Sequence, residues 1–184
     1  HKYLESFNIK KFGQAAKIIS FYDCQQIRKD SPIASIFNYE HDYTCIFFDQ
    51  PIVNYGRTTE EEYLKFMKNI REIFLEEISN NKFCVKLHPG NHSDLRFYEG
   101  LHIIPSYIPS ECLNINKDSL WLAISSSTLW INNQAKKIAL INLLDFKSNK
   151  TKEYIRKSVV MNFDNNVFIP KDLTDLKNFF IKNK

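Results

Sequence analysis

Thr44-Cys45-Ile46-Phe47-Phe48-Asp49-Gln50-Pro51 decides how the rest of the chain is read. A continuous apolar run stopped by Asp-Gln-Pro reads as a strand buried on both faces, the kind found at the centre of a parallel sheet. Downstream, Thr58-x-x-Glu61 and Thr59-x-x-Glu62 are overlapping capping boxes. Tyr63, Met67, Ile70, Phe74 and Ile78 then recur at helical spacing, so a long amphipathic helix follows the strand. Phe83-Cys84-Val85-Lys86-Leu87 reads as a second strand, ended by Pro89-Gly90, which extends neither strand nor helix.

The same alternation continues toward the C-terminus. His102-Ile103-Ile104-Pro105 reads as a short third strand, and Pro109-Ser110-Glu111-Cys112-Leu113 as the start of a short helix. Leu120-Trp121-Leu122-Ala123-Ile124 is a fourth strand, followed by serines that cap a helix from about Thr128 to Lys136. Ile138 to Leu143 reads as a fifth strand, residues 166 to 170 as an edge element, and Leu173 to Ile181 as a closing helix. Strands alternating with helices predict an α/β, Rossmann-like parallel sheet flanked by helices. At 184 residues the chain suits one well-buried domain, placed over 43–184, with 1–42 as an N-terminal extension or linker helices. Within that extension Ala15 to Tyr22 fits a strand or a short helix, and Ser31-Pro32 breaks what precedes it. The chain starts at His1 in polar sequence, which suits a processed product or one domain cut from a longer protein.

Composition narrows the function classes. Hydrophobic residues at 43% and charged ones at 25% exclude a disordered chain, and fifteen Phe with nine Tyr predict an aromatic core. A net charge of +4 from dispersed lysines leans weakly toward anionic ligands, and without a dense basic block nucleic acid is not expected as a partner. Cys24, Cys45, Cys84 and Cys112 show no C-x-x-C spacing, which points to a reducing compartment and a cytoplasmic location. No apolar run approaches the roughly 20 residues needed to cross a bilayer. Asn91-His92-Ser93 and Asn149-Lys150-Thr151 are formal glycosylation acceptors that read as chance matches.

Two strand exits carry the residues suited to chemistry. Loops at the carboxyl ends of a parallel sheet form its binding crevice, so His88 and the run Ser125-Ser126-Ser127-Thr128 converge there on one ligand. Hydroxyls at a helix N-terminus suit a phosphate, although Ser126 or Ser127 serves equally as a plain cap. His88 is open to three readings: a surface histidine, a hydrogen-bonded structural one, or a donor to a departing phosphate. Glu111 suits either the helix dipole or a ribose, and Gln50-Pro51 either lines the site or ends the strand. Trp121 and Trp130 read as packing residues. With four glycines and neither G-x-G-x-x-G nor G-x-x-x-x-G-K-[ST], a dinucleotide or ATP site is disfavoured and no cofactor is expected. A metal at His88-x-x-x-His92-x-Asp94 is rejected, because Pro89-Gly90 prevents the helix that its spacing requires.

Taken together, Lys86-Leu87-His88-Pro89, Ile108-Pro109-Ser110-Glu111-Cys112-Leu113 and Ile124-Ser125-Ser126-Ser127-Thr128-Leu129 resemble the C-terminal half of bacterial GT-B sialyltransferases, a family that includes lipooligosaccharide sialyltransferases and capsule polysialyltransferases. His88-Pro89 is similar to the family's HP motif, Ser126-Ser127-Thr128 to its S-S/T motif, and Pro109 to Glu111 to its P-x-E helix start. The likeness covers roughly residues 43 to 143. It implies inverting, metal-independent transfer from CMP-sialic acid to a surface glycan. In that scheme His88 meets the CMP phosphate, with a general-acid role open to it, Ser126, Ser127 and Thr128 hold the same phosphate, and Glu111 meets the ribose. Lys86, Pro89, Gln50, Pro51 and Ser125 join the donor-binding set. The family's acidic-acidic-glycine motif, whose carboxylate acts as acceptor base, has no counterpart: Glu99-Gly100 follows Tyr98 and lies after the histidine motif. The acceptor half is thus expected from a missing N-terminal domain, and peripheral contact with the inner membrane face suits such an enzyme. Transferases of CDP-glycerol or other nucleotide sugars, and a non-catalytic donor-binding module that needs a partner domain, stand as alternatives.

Overall fold

The computed structural model describes residues 41–77, 82–90, 94–110, 113, 118–130, 134–162 and 167–182. Residues 1–40, all but the last two positions of the expected N-terminal extension, lie outside the described residues, as does Glu111. Six strands form one all-parallel sheet: β1 (Cys45–Phe48), β2 (Phe83–Lys86), β3 (His102–Ile104), β4 (Leu120–Ala123), β5 (Lys136–Ala139) and β6 (Val167–Phe168). Among the described residues three helices accompany them: α1 (Glu60–Glu77), α2 (Asn149–Asn162) and α3 (Leu173–Lys182). The spatial order is β3-β2-β1-β4-β5-β6, so β1 and β4 are the central pair, with Cys45 opposite Leu120 and Phe48 opposite Ala123. This is the Rossmann-like α/β architecture, in the 3-2-1-4-5-6 strand order of doubly wound sheets.

Both faces of the central strands are covered, which is why their sequences read as unbroken apolar runs. Alternate residues point to opposite sides. Cys45, Phe47, Val85, Leu120 and Leu122 pack with Tyr63, Phe66, Met67, Ile70 and Phe74 of α1 and with Leu176 and Phe180 of α3. Ile46, Phe48, Cys84, Trp121 and Ala123 pack on the other side with Ile108, Leu113, Leu129 and Ile155 of α2. Each fully buried large apolar side chain contributes about 1.5–3 kcal/mol, against about 0–1 kcal/mol for exposed ion pairs such as Lys177 with Glu76 at 2.8 Å. The sheet and its two covers therefore hold the fold.

Local chemistry sets the element ends. Thr59 Oγ1 accepts the Glu62 N–H at 3.2 Å, so the second of the overlapping boxes caps α1. Thr58, buried, instead donates its hydroxyl to the Asp145 carbonyl and pins the start of α1 to the segment after β5. Ser148 Oγ accepts the Thr151 N–H at 3.1 Å and caps α2. Asp172 does the same for α3 through Asp175 N–H at 2.8 Å.

Two expected boundaries are corrected. Of the helix expected from Thr128 to Lys136, the described residues show a 3-10 turn over Ser127–Trp130, while Lys136 already belongs to β5, paired with Leu120. The strand expected from Ile138 to Leu143 ends at Ala139, and Ile141–Leu143 closes into a second 3-10 turn with Leu143 N–H on the Leu140 carbonyl at 3.0 Å. Leu140 and Ile141 stay fully buried, and hydrophobicity alone does not tell a buried turn from a buried strand. Helix α2 went unread in a polar stretch, and it contains Asn149-Lys150-Thr151 in its first turn.

Candidate functional site

The strand order reverses direction between β1 and β4, and the crevice outside their carboxyl ends is where open α/β sheets bind ligands. Gln50, leaving β1, and Ser125, leaving β4, meet across that switch point. Ser125 N–H donates to Gln50 Oε1 at 2.7 Å, and Gln50 Nε2 donates to Ser125 Oγ at 3.3 Å. The pair fixes the two exits against each other. Pro51, buried, then turns the chain away from the sheet, with Tyr55 N–H on its carbonyl at 2.9 Å. Gly56 closes that loop at φ 63°, a left-handed backbone that a side chain strains.

On the other flank of β1 stands the exit of β2. His88 is half-buried, its N–H reaches Asp49 Oδ2 at 3.5 Å, and its Nδ1 accepts the Gly90 N–H at 3.0 Å. Among the described residues Nε2 has no hydrogen-bond partner. Pro89 and Gly90 are exposed on the turn that follows. Lys86 is buried, and its ammonium donates to the carbonyls of Leu87 at 2.6 Å and Ser106 at 3.4 Å, tying the β2 exit to the segment after β3.

The four hydroxyls after β4 divide their roles. Ser126 Oγ accepts the Thr128 N–H at 3.2 Å and donates to Thr128 Oγ1 at 2.9 Å, so it is the cap of the 3-10 turn. Among the described residues Ser125 and Thr128 use their oxygens only as acceptors, which leaves their hydroxyl protons for another partner. Ser127 is exposed. His88 and these hydroxyls lie on the same edge of the sheet, on strand exits whose backbones are two inter-strand spacings or about 10 Å apart. Asp49 and Gln50 stand between them.

Asp49 is the residue that sequence reading passed over. The residue is 4% exposed, and its carboxylate accepts from Tyr98 Oη as well as from His88 N–H. Tyr98 Oη in turn lies 3.0 Å from Tyr63 Oη, and both rings are buried. Burial, then the neighbouring Asp49 charge, pushes the Tyr63 phenol far above its usual range. Burial, then Tyr63 and Asp49, does the same to Tyr98. One signal was present: an acid directly after a buried strand must find donors. Its partners, 39 to 49 positions away, have no local signature.

Beside this network Asp49, Gln50, Asn54, Asp94 and Phe97 line a small pocket. Arg96 holds Asp94 through its side chain and main chain, which lowers the Asp94 carboxyl, and also reaches Glu60 at 3.0 Å. Compared with models of protein families, with curated proteins and with solved structures, the chain matches none. Among the described residues no group of three His, Cys, Asp or Glu side chains is gathered that could hold a metal ion, and no helix is long and apolar enough to cross a membrane. Cys45 and Cys84 are buried free thiols, both pushed up by burial, which suits packing rather than nucleophilic chemistry. What the edge offers a ligand is the outer ring nitrogen of His88 and the hydroxyls of Ser125, Ser127 and Thr128 around a structured strand exit.

Proposed function

We propose that this domain binds a nucleotide-linked sugar, foremost CMP-sialic acid, along the carboxyl ends of β2, β1 and β4, as the donor-binding half of an inverting, metal-independent GT-B glycosyltransferase. The observation that carries the reading is that His88 and Ser125-Ser126-Ser127-Thr128 flank the β1–β4 switch point on one edge. His88 Nε2 and the hydroxyl protons of Ser125, Ser127 and Thr128 would face the donor phosphate. Gln50 and Pro51 shape the floor, while the Lys86 ammonium supports it from within. As the glycosidic C–O bond breaks, its electron pair moves to a phosphate oxygen, and preorganised donors stabilise the charge that develops there.

The acceptor, a surface glycan of the lipooligosaccharide or capsule kind, and the base that deprotonates it come from elsewhere in this reading. The chain alone should therefore bind donor and transfer poorly; robust sialyl transfer by it would contradict that division. Isothermal titration with CMP, CDP and UDP tests the donor class. CMP should bind at least about tenfold more tightly than UDP, a difference of 1.4 kcal/mol. Tighter binding of UDP would replace the sialyl assignment with another nucleotide sugar, and no binding of any nucleotide would remove the reading altogether.

A further inference from the structure

We infer that Gly90 fixes His88 in the Nε2–H tautomer, so that this histidine acts as a neutral hydrogen-bond donor to the phosphate and keeps its proton rather than transferring it as a general acid. The inference rests on the phosphate-binding reading above and assigns the role of its histidine. The decisive contact is Gly90 N–H to His88 Nδ1 at 3.0 Å. A ring nitrogen that accepts a hydrogen bond carries no proton, so the single proton of the neutral ring sits on Nε2. Among the described residues Nε2 is also the ring nitrogen without a partner. Proton and free direction coincide.

The main chain around the ring is held as well. His88 N–H is bound by Asp49, whose other oxygen is taken by Tyr98, and Lys86 ties the preceding strand end to the Leu87 and Ser106 carbonyls. The imidazole therefore projects from an anchored strand exit and has its tautomer chosen by the next turn. Giving up the Nε2 proton would leave an imidazolate, a species out of reach near neutral pH. Nor does the chemistry call for that transfer. A phosphate monoester leaving group has a second pKa of about 6 and departs as a stable dianion. In balance, the glycosidic bond breaks with its electron pair on CMP, the new bond forms from the acceptor oxygen, and the acceptor's proton goes to a carboxylate base outside this domain. The His88 proton stays on Nε2 throughout.

Long-range proton–nitrogen correlation spectra of histidine-labelled protein, at pH 7.5 with and without CMP-sialic acid, read the tautomer directly. His88 should show a protonated Nε2 and a bare Nδ1 in both. A protonated Nδ1, or a doubly protonated ring, overturns the inference. Gly90→Ala keeps the amide and should keep the tautomer, whereas Gly90→Pro removes the amide and should yield a tautomer mixture; an unchanged ring in Gly90→Pro overturns the assignment to Gly90. Titration with CMP-sialic acid supplies the second arm. His88→Ala should lose about ten- to a hundredfold in affinity, the range of a hydrogen bond to a charged group, and His88→Gln, which carries an N–H at the outer position, should recover most of it. A glutamine variant as weak as the alanine one overturns the donor role. Failure of the unaltered protein to bind CMP-sialic acid instead removes the ligand reading, and the spectra of the free protein still decide the tautomer.

Discussion

The exits of β1 and β4 lie side by side in the sheet yet differ in how their polar groups are used. At the β1 exit the carboxylate of Asp49 is buried and engaged by Tyr98 and His88, and behind Tyr98 stands Tyr63. At the β4 exit, Ser125, Ser126 and Thr128 are half-buried, Ser127 is exposed, and Ser126 alone spends both oxygen and proton on the turn itself. The first region stores stability and the second offers donors. A binding crevice needs both, because donors contribute affinity only when the strand ends beneath them do not move.

Substitutions that exchange these roles break the comparison. Asp49→Ala leaves the Tyr98 hydroxyl and the His88 N–H without their acceptor, and should lower unfolding free energy in urea by about 3 kcal/mol. Tyr98→Phe removes one donor from a buried carboxylate and should cost about 2 kcal/mol in the same measurement. The tyrosines also set a pH dependence. Their folded values are raised, so the stability they contribute is complete below the ordinary tyrosine value of about 10 and falls as pH climbs above it. Unfolding curves from pH 8 to 11 should show a steeper loss in the unaltered protein than in Tyr98→Phe; parallel curves would place the network outside the stability balance. Ser126→Ala, which deletes the turn's cap, should cost about 1 kcal/mol. Ser127→Ala should leave stability unchanged within about 0.5 kcal/mol and weaken CMP binding by about threefold to tenfold. If Ser127→Ala destabilises the fold and leaves binding alone, the division between the two exits is wrong.

The sheet was legible because its central strands announce themselves. Cys45 to Phe48, Phe83 to Lys86 and Leu120 to Ala123 are buried on both faces, and that burial is written as unbroken apolar runs. Helix α1 was legible for a different reason: Thr59 caps it, and Tyr63, Met67, Ile70 and Phe74 all reach the core at the expected spacing. Helix α2 was not, because Asn149 to Asn162 opens in polar sequence whose apolar stripe is sparse. The misplaced end of β5 has the same root, since Leu140, Ile141 and Leu144 are buried in a turn as deeply as strand residues are.

At the candidate site, position after a strand was legible: His88, Gln50 and the serine run all stand at the carboxyl edge. Their pairings were not. Gln50 with Ser125 joins positions 75 apart, and Tyr98 with Asp49 positions 49 apart, so only the closed sheet reveals them. Asp49 escaped notice because a strand-ending aspartate is ordinary until its burial is known.

A crystal of the protein soaked with CMP tests the central claim most directly. The phosphate should lie within about 3 Å of His88 Nε2 and of a hydroxyl from Ser125, Ser127 or Thr128, spanning the β1 exit. A phosphate bound at the opposite edge of the sheet, or held without the imidazole, would contradict it.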